Sequence, residues 1–362
     1  MITGKRSVKT GLKSVFLSEY FILILSVLIF LVAWIVIPNI ASIQSLSNML
    51  DNILPLFILV VGQMFVLMVG GIDLSQTAIV GITSVFGAIF LTNSCNPDRF
   101  FQSPLWGILI NEDGGPMANS PFAIPVAIIV MLAIGISIGL FNGWLIGRFK
   151  MQSFMVTLIM MQLVFSLGVW MTQSFNIVSM PEAYIEIGRG KLFGVIPYAL
   201  FLALFVGLLA FLLLRRTVYG KWVLATGENQ KAAQVAGVPV IKMYMLSFMI
   251  SGICCVIASV IYSGRLQQGS PTLSRAMLLD IIGAVVIGGV SMFGGKGKIM
   301  YAIIGCIFFT LLGTLLNMLK LSTFVVDIVK GLFILIAVLL DVIRLRMSQS
   351  TLVVEEQEKT PE

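Results

Sequence analysis

Ten long apolar runs restrict the fold of this chain more than any other feature of its sequence. Hydrophobic residues make up 58% of the 362 residues and charged residues only 11%, whereas ordinary globular domains carry about 25% charged residues. A helix needs roughly 20 apolar residues to cross the hydrocarbon core of a bilayer. The runs of approximately this length are Phe21–Ile37, Ile53–Val69, Thr77–Leu91, Phe122–Ile146, Phe154–Met171, Val195–Leu214, Met243–Tyr262, Met277–Met292, Ile299–Met318 and Phe324–Ile343.

The apolar runs are continuous, unlike the alternating pattern of an outer-membrane β-barrel. We therefore predict an all-α fold, a polytopic membrane helical bundle of about ten transmembrane helices, some of them short or discontinuous. Residues 1–346 are expected to form a single transmembrane domain. The segment 347–362 contains four glutamates and is expected to be a disordered cytoplasmic tail.

Lysine and arginine predict the orientation of these spans. If the N-terminus is cytoplasmic and every run crosses, fifteen basic residues near the membrane lie on the cytoplasmic side and six on the outer side. This bias follows the positive-inside rule and places both termini in the cytoplasm. The basic residues are dispersed over loops, so the net charge of +7 does not indicate a nucleic-acid partner.

The residue inventory excludes several kinds of site chemistry. The chain has no histidine and only four cysteines, which are too scattered to indicate a disulfide framework or a metal site. The segment Gly294–Gly297 lacks the spacing of a phosphate-binding loop. We therefore expect no enzymatic activity, no bound metal and no cofactor in this chain.

Two of the spans, Thr77–Leu91 and Met277–Met292, are too short for a bilayer. At 1.5 Å per residue they reach only about 22–24 Å, against a hydrocarbon core of about 30 Å. Glycine pairs adjoin both spans, and short glycine-interrupted spans are typical of a transport pathway. Close helix packing through small residues is an equally good interpretation. The glycines concerned are Gly70, Gly71, Gly288 and Gly289.

Polar residues beside these glycines have two interpretations. Asp73 and Ser75 stand where a span begins, so Asp73 either caps a helix or acts at the cytoplasmic mouth of a pathway. Asp280 lies near the outer end of a short span, where an ionisable residue indicates function. Asp327 and Lys330 are three residues apart on one predicted helix, and we expect them to pair with each other.

The soluble segment 215–242 has the features of a docking element. Asn229 can bond free backbone N–H groups at the start of a short helix over residues 231–236, and Gly237 can end that helix. Small alanine and glycine side chains allow a partner to come close. We expect Ala233 and Gly237 to accept large side chains without loss of folding, and an ordinary interfacial loop is the alternative interpretation.

Three motifs of this chain, which follow one another in the same order as in the family, resemble the permease subunits of bacterial ABC sugar importers of the ribose, galactose and xylose type. The stretch Val69–Ser75 is similar to the GGIDLS signature of that family, and Leu278–Gly297 is similar to its ELDAIAAVVLGG segment. The soluble segment resembles the family's cytoplasmic coupling segment. The matching residues there are Arg216, Thr217, Gly220, Lys221, Gly227, Glu228, Asn229, Ala232, Ala233, Gly237 and Val238.

The resemblance implies a multi-pass permease of the bacterial cytoplasmic membrane that carries a sugar-like solute. It implies three partners: an ABC ATPase subunit that uses the ATP, an extracytoplasmic solute-binding protein, and a second permease subunit in a homodimer or heterodimer. The chain departs from the family at Gln76, Thr77, Ala78 and Leu278. Importers of nucleosides or branched-chain amino acids, and an autonomous secondary transporter or channel, stay open as alternatives.

Overall fold

The computed structural model describes residues 21–339, so the basic N-terminal segment and the predicted acidic tail lie outside the described residues. In chain order its helices are α1 Phe21–Val36, α2 Ile43–Met68, α3 Gln76–Leu91, α4 Pro97–Phe100, α5 Ala123–Phe149, α6 Ser153–Thr172, α7 Glu182–Arg189, α8 Tyr198–Arg216, α9 Val218–Glu228, α10 Gln230–Val235, α11 Val240–Leu266, α12 Leu278–Gly288 and α13 Ile299–Met318. A further helix, α14, covers 323–339. Two 3-10 turns, Pro38–Ala41 and Arg275–Met277, and one hairpin of β1 Lys191–Leu192 and β2 Ile196–Pro197 complete the secondary structure of the described residues.

The predicted all-α membrane bundle is confirmed. Six of the described helices are long and apolar enough to cross a membrane, namely α2, α5, α6, α8, α11 and α13. The apolar helices α1 and α3 have 16 residues each and are shorter than a full crossing. The run predicted over Phe324–Ile343 is helical as far as residue 339 and then leaves the described part of the chain.

Two predicted boundaries are wrong. Helix α2 begins ten residues before the predicted Ile53, because the Ser42 hydroxyl accepts a hydrogen bond from the Ser45 N–H and caps a polar first turn. The span predicted over Met277–Met292 is helical only to Gly288, because Gly289 has a φ of 108° and ends the helix. A left-handed glycine of this kind is a common helix stop.

The two ends of the bundle are distinct. At the end that we call the outer end, Lys191 pairs with Asp51 at 3.3 Å, and Arg265 donates to the Asp51 carbonyl oxygen at 2.8 Å. The segment after α6 joins this layer through paired backbone hydrogen bonds between Ile177 and Gly269. At the opposite end, which we call the coupling end, the Gly295 N–H donates to the Met68 carbonyl oxygen.

Tyr184 anchors the helix α7 at the outer end. Its side chain is fully buried, and its hydroxyl lies 2.7 Å from the Ser263 hydroxyl on α11. Burial raises the pKa of Tyr184 to about 12, so this phenol keeps its proton and remains able to donate a hydrogen bond over the physiological pH range.

Helix α5 packs against α11 through a column of glycines. Gly135, Gly139, Gly143 and Gly147 repeat every four residues, so they lie on one face of α5. An added Cβ at Gly139 would overlap the Phe248 carbonyl oxygen, and one at Gly143 would stand 2.6 Å from the Met245 Cα. Without side chains between them, the two backbones approach closely enough for extensive dispersion contact, which holds helices together in lipid.

Helix α3 completes a discontinuous crossing. After α2 ends, the chain turns at Gly70 and runs back into the bundle before α3 begins at Gln76. The Gly71 N–H bonds the Val66 carbonyl oxygen at 2.9 Å, and the Ser153 hydroxyl accepts from the Ile72 N–H at 3.0 Å. The crossing is therefore part extended chain and part helix, which explains why its apolar run is short.

A second segment without α-helix, 269–277, follows α3 down from the outer end. The Ser84 hydroxyl donates to the Ser270 carbonyl oxygen and accepts from the Ser270 N–H, both at 3.1 Å. Deeper in the bundle, the Ser274 hydroxyl donates to the Thr77 carbonyl oxygen at 2.9 Å. Helix α12 continues this descent from Leu278, so the second short span is also part of a discontinuous crossing.

We predict that Gly139→Val lowers the stability of the protein through its contact with α11. The new side chain must displace the Phe248 backbone, and overpacking of this kind costs about 1–3 kcal/mol. Ser137→Val on the exposed face of the same helix is the matched control and should change little. Thermal unfolding in detergent measures both, and equal midpoints for the two variants would contradict the proposed close contact.

A second prediction concerns the orientation of the bundle. Asn111 lies beyond α4 toward the outer end and Lys231 lies on α10, and both are exposed. A membrane-impermeant thiol reagent added to intact cells should label Asn111→Cys and spare Lys231→Cys. The native cysteines are all buried and should give little background. External labelling of the Lys231 position would reverse the predicted topology.

Candidate functional site

The predicted site residues lie in two regions of the bundle. The predicted pathway residues lie in the turn between α2 and α3 and along α12. The predicted coupling residues lie at the end of α8, in α9 and α10, and just beyond α10. Within residues 21–339, no group of three or more His, Cys, Asp or Glu side chains is arranged to hold a metal ion.

Asp73 is the centre of a buried polar cluster. Its side chain is 1% exposed. One carboxylate oxygen, Oδ1, accepts from the Ser75 N–H at 3.0 Å and from the Ser75 hydroxyl at 2.6 Å. The other, Oδ2, accepts from the Ser251 hydroxyl on α11 at 2.7 Å. The carboxylate therefore ties the re-entering chain to the central helix of the bundle.

The helix following this cluster begins at Gln76 with Ser75 at its N-cap position, but the Ser75 side chain makes no capping bond, and the Asp73 carboxylate accepts the Ser75 N–H instead. This carboxylate belongs to a residue two positions before Ser75 and lies beside the positive end of the α3 dipole, where a negative charge is stabilised. It lies inside the protein and is not exposed at an opening of this protomer. The structure places it where it orders the α2–α3 turn.

Buried amides complete the cluster around Asp73. The Gln76 amide donates to the Ser251 hydroxyl at 2.9 Å and to the Leu59 carbonyl oxygen at 3.2 Å. The Gln63 side-chain amide is oriented so that its oxygen accepts from the Asp73 N–H at 3.2 Å and its nitrogen donates to the Asp73 carbonyl oxygen at 3.1 Å. The Asn142 amide donates to the Ser75 hydroxyl at 3.0 Å. These bonds replace the helical hydrogen bonds that this stretch of backbone lacks.

Asp280 pairs with Lys330 rather than standing alone. Its carboxylate lies 2.6 Å from the Lys330 ammonium and joins the first turn of α12 to α14. The predicted pairing of Lys330 with Asp327 on the same helix is therefore wrong. Because Lys330 is 9% exposed, the pair between helices removes a charge that would otherwise be buried alone.

The four predicted pathway glycines have three different structural roles. Gly70 has a φ of 80° and allows the reversal after α2. Gly71 is close-packed, since an added Cβ would lie 3.2 Å from a Val66 methyl group. Gly288 touches α13, where a Cβ would overlap the Tyr301 carbonyl oxygen. Gly289 ends α12. Gly70, Gly288 and Gly289 are thus required by backbone conformation or backbone contact, and Gly71 is closely packed, whatever part each has in transport.

The coupling end joins the two regions through backbone contacts. A Cβ at Gly227 in α9 would overlap the Met68 carbonyl oxygen at the end of α2, and would stand 2.5 Å from the Gly295 nitrogen. Gly294 and Gly295 both have positive φ and lie in the loop after α12. The loop Gly294–Gly297 therefore sits between α9 and the end of α2, which sequence reasoning did not foresee.

Helix α10 has the predicted caps. The Asn229 side chain accepts from the Ala232 N–H at 3.0 Å, and Gly237 has a φ of 83° after the last turn. The preceding residues form a second helix, α9, so the prediction of a single helix in this segment is wrong. Most side chains of α10 are exposed, and Val235 is 91% exposed.

Other predicted coupling residues hold the segment in place. Thr217 precedes α9, and its hydroxyl donates to the Leu213 carbonyl oxygen at 2.5 Å. A Cβ at Gly220 would overlap the Leu214 carbonyl oxygen. Ala233 is only 5% exposed, so the expectation that a large side chain fits there without loss of folding is wrong. Arg216, Glu228 and Ala232 are exposed at this end.

Sequence reasoning missed the partners of Asp73 and the glycine column. Gln63, Asn142 and Ser251 are polar residues within apolar helices, and that placement was the available signal. The four-residue spacing of glycines in α5 was also visible as a packing motif. Neither signal identifies the opposing helix, so the contacts themselves required the structure.

We predict that Asp73→Ala destabilises the protein more than Asp73→Asn does. Alanine leaves the Ser75 N–H and the hydroxyls of Ser75 and Ser251 without their acceptor, and each buried donor left unpaired costs about 1–3 kcal/mol. Asparagine keeps one carbonyl oxygen in place. Thermal unfolding and protease resistance of both variants measure the difference. A wild-type midpoint for Asp73→Ala would show that the cluster does not stabilise the turn.

Comparison with known proteins identifies the family of this chain. Residues 45–338 match the family described as branched-chain amino acid transport system / permease component. The chain is 30% identical to the ribose import permease protein RbsC of Haemophilus influenzae over 310 residues, which is 84% of this chain and 87% of that protein. It is 30% identical to the L-arabinose ABC transporter permease protein AraH of Azospirillum brasilense over 320 residues, 87% of this chain and 86% of that protein.

A third relative, the ribose import permease protein RbsC of Bacillus subtilis, is 31% identical over 307 residues, 84% of this chain and 86% of that protein. No solved structure gives a significant match to this chain. The family match covers most of the sequence, including the α2–α3 turn, α9, α10 and α12. The chain therefore belongs to the family of branched-chain amino acid transport system permease components.

Proposed function

We propose that this protein is the membrane-spanning permease subunit of an ATP-binding-cassette importer for a sugar-like solute. Ribose and L-arabinose permeases at about 30% identity over most of the chain support the solute class. The permease makes and breaks no covalent bonds. The permease lies in the bacterial cytoplasmic membrane. A separate ATPase subunit binds and hydrolyses ATP, and a binding protein delivers the solute to the outer end of the permease.

The observation that carries this proposal is the exposed, capped helix α10. A surface helix of six residues is too short to be stable alone, and this one is held by the Asn229 cap and by the buried Ala233. Its outward face carries no partner within the described chain. A helix fixed in this way presents a preformed contact, which lowers the entropy cost of docking an ATPase.

The contacts of α9, the helix next to α10, connect the proposed ATPase contact with the membrane helices. Helix α9 touches the end of α2 and the loop Gly294–Gly297 at backbone distance. Those two elements lead directly into the α2–α3 turn and into α12. Movement of α10 during ATP hydrolysis would therefore be transmitted to both discontinuous crossings without passing through flexible side chains.

The same family architecture suits other solutes. The family description names branched-chain amino acids, and nucleoside importers stay as a further alternative within the class. An autonomous carrier is the alternative from a different class, and it predicts uptake into liposomes that contain the permease alone. The exposed α10 favours the ATP-driven importer, because an autonomous carrier has no use for a docking helix.

We predict that Val235→Arg weakens association with the ATPase subunit by about tenfold or more, the effect typical of a central interface residue. The substitution leaves the helix intact, because position 235 is exposed and a cation suits a helix C-terminus. Co-purification of the tagged permease with its ATPase, and ATP hydrolysis stimulated by the binding protein, should fall together.

The matched control is Val195→Arg. Val195 is 71% exposed in the hairpin turn at the outer end, so this variant should retain the ATPase. Undiminished association in Val235→Arg, or equal losses in both variants, would contradict docking at α10. Uptake that persists with no ATPase bound would favour the autonomous carrier.

A further inference from the structure

Arg275 is an exposed cation in the middle of the membrane-spanning bundle. It follows Ser274, whose hydroxyl bonds the Thr77 carbonyl oxygen, so it lies at the level of Thr77 in α3. Thr77 is fourteen residues before the outer end of that helix, a depth of about 21 Å. Arg275 therefore lies far below the outer surface.

Helix α6 gives an independent measure of this depth. The Arg275 guanidinium stands over the Phe165 ring, 4.6 Å from its centroid. Gln162 precedes Phe165 on α6 by about one helical turn. Gln162 is nine residues from the first and ten from the last residue of α6, which is about 14–15 Å from either end. Two helices thus agree that this group of side chains is close to the mid-depth of the bundle.

A charge at this depth does not face lipid without a large cost, since arginine at a helix centre is unfavourable by about 2.5–3.5 kcal/mol even on the mildest scale. Arg275 takes part in neither the Lys191–Asp51 nor the Lys330–Asp280 ion pair. Its side chain is exposed on the surface of the protomer. This face of the bundle is therefore in contact with water or polar solute in the working protein.

A small cavity opens beside Arg275. Its volume is about 160 Å³, enough for several water molecules or a small solute. Hydrogen-bonding groups and an aromatic ring converge on it, together with apolar side chains. The lining includes Thr77, Gln162, Phe165, Pro271, Arg275 and Leu278.

We propose that this cavity is a transit site for a neutral, polyhydroxylated solute, on the wall of the translocation pathway that α6 and the segment 271–278 contribute. The proposal rests on the function proposed above, and the opposite wall is assigned to the second permease subunit that the family resemblance implies. Arg275 offers a planar set of N–H donors to hydroxyl oxygens, and the Gln162 amide both donates and accepts. Amphipathic sugars present such oxygens together with C–H faces that suit the apolar lining.

The lining also distinguishes between solute classes. A branched-chain amino acid carries an ammonium group as well as a carboxylate, and the ammonium requires an acidic or strongly accepting partner when it leaves water. No Asp or Glu lines the cavity. The donor-rich lining therefore favours a sugar over a zwitterion.

Transport by the complete system tests the role of Arg275. The permease is co-expressed with the ATPase and the binding protein of its own transport system, reconstituted in liposomes, and supplied with radiolabelled D-ribose, L-arabinose or L-leucine. Arg275→Met should lower ATP-dependent sugar uptake about tenfold or more, the effect of losing a charged hydrogen bond, while ATPase association stays at the wild-type level.

Arg99→Met is the matched control for this measurement. Arg99 is also exposed and also stands over a phenylalanine ring, that of Phe175 at 5.8 Å, but it lies in the outer loops. With the binding protein at saturating concentration, this variant should leave uptake unchanged. Wild-type uptake in Arg275→Met would overturn the proposal, and so would ATP-dependent transport of leucine but of neither sugar.

Thiol labelling tests the pathway without reference to the solute. In the same liposomes, a charged methanethiosulfonate reagent should modify Gln162→Cys, because the reagent requires a hydrated thiolate. It should spare Leu208→Cys, which is 57% exposed at mid-depth on α8 and faces lipid. An unreactive Gln162→Cys, or equal labelling of both, would overturn the proposed pathway wall. Failure of ATPase association with normal labelling would instead contradict only the proposed ATP-driven function.

Discussion

Every backbone polar group inside the bilayer must find a partner within the protein, because hydrocarbon supplies none. Two segments of this chain without α-helix, 70–75 and 269–277, lie inside the bundle and meet that requirement with side chains. Asp73 and Gln63 hold the first segment, and Ser84 holds the second. Helix α3 is bound to both, so its position depends on these hydrogen bonds, and the two discontinuous crossings are fixed relative to each other through it.

Small residues bring the helices close enough for this arrangement. The glycine column of α5 lets α11 approach at backbone distance, which places Ser251 of α11 within 2.7 Å of Asp73. The same principle acts between α12 and α13, where a Cβ at Gly305 would overlap the Ala284 carbonyl oxygen. Because lipid tails are as apolar as leucine, such close contact rather than hydrophobic burial stabilises helix pairs in the membrane.

The sequence predicted those features that depend on neighbouring residues. Apolar run length is local, so it indicated the membrane helices, and the caps at Asn229 and Gly237 follow from residue types at adjacent positions. Lys330 shows where this reasoning stops. Its three-residue spacing from Asp327 predicted a pair on one helix, but Asp280 on α12 lies 2.6 Å away. Whether a charged side chain pairs within its own helix or with another helix depends on how the helices pack against each other. That packing cannot be derived from the spacing of residues in a single sequence.

Helix α12 connects the coupling end to the Arg275 cavity by a short path. Leu278 lines the cavity at one end of the helix, and at the other end Gly289 leads into the loop that touches α9. The eleven residues between span about 16 Å. Gly288 meets the α13 backbone directly, and the Phe309 ring of α13 fills the space beside Gly283, so the two helices resist sliding independently. If an ATPase docks as proposed and displaces the loop, the α12–α13 pair would therefore move as one body and change the cavity wall at Leu278.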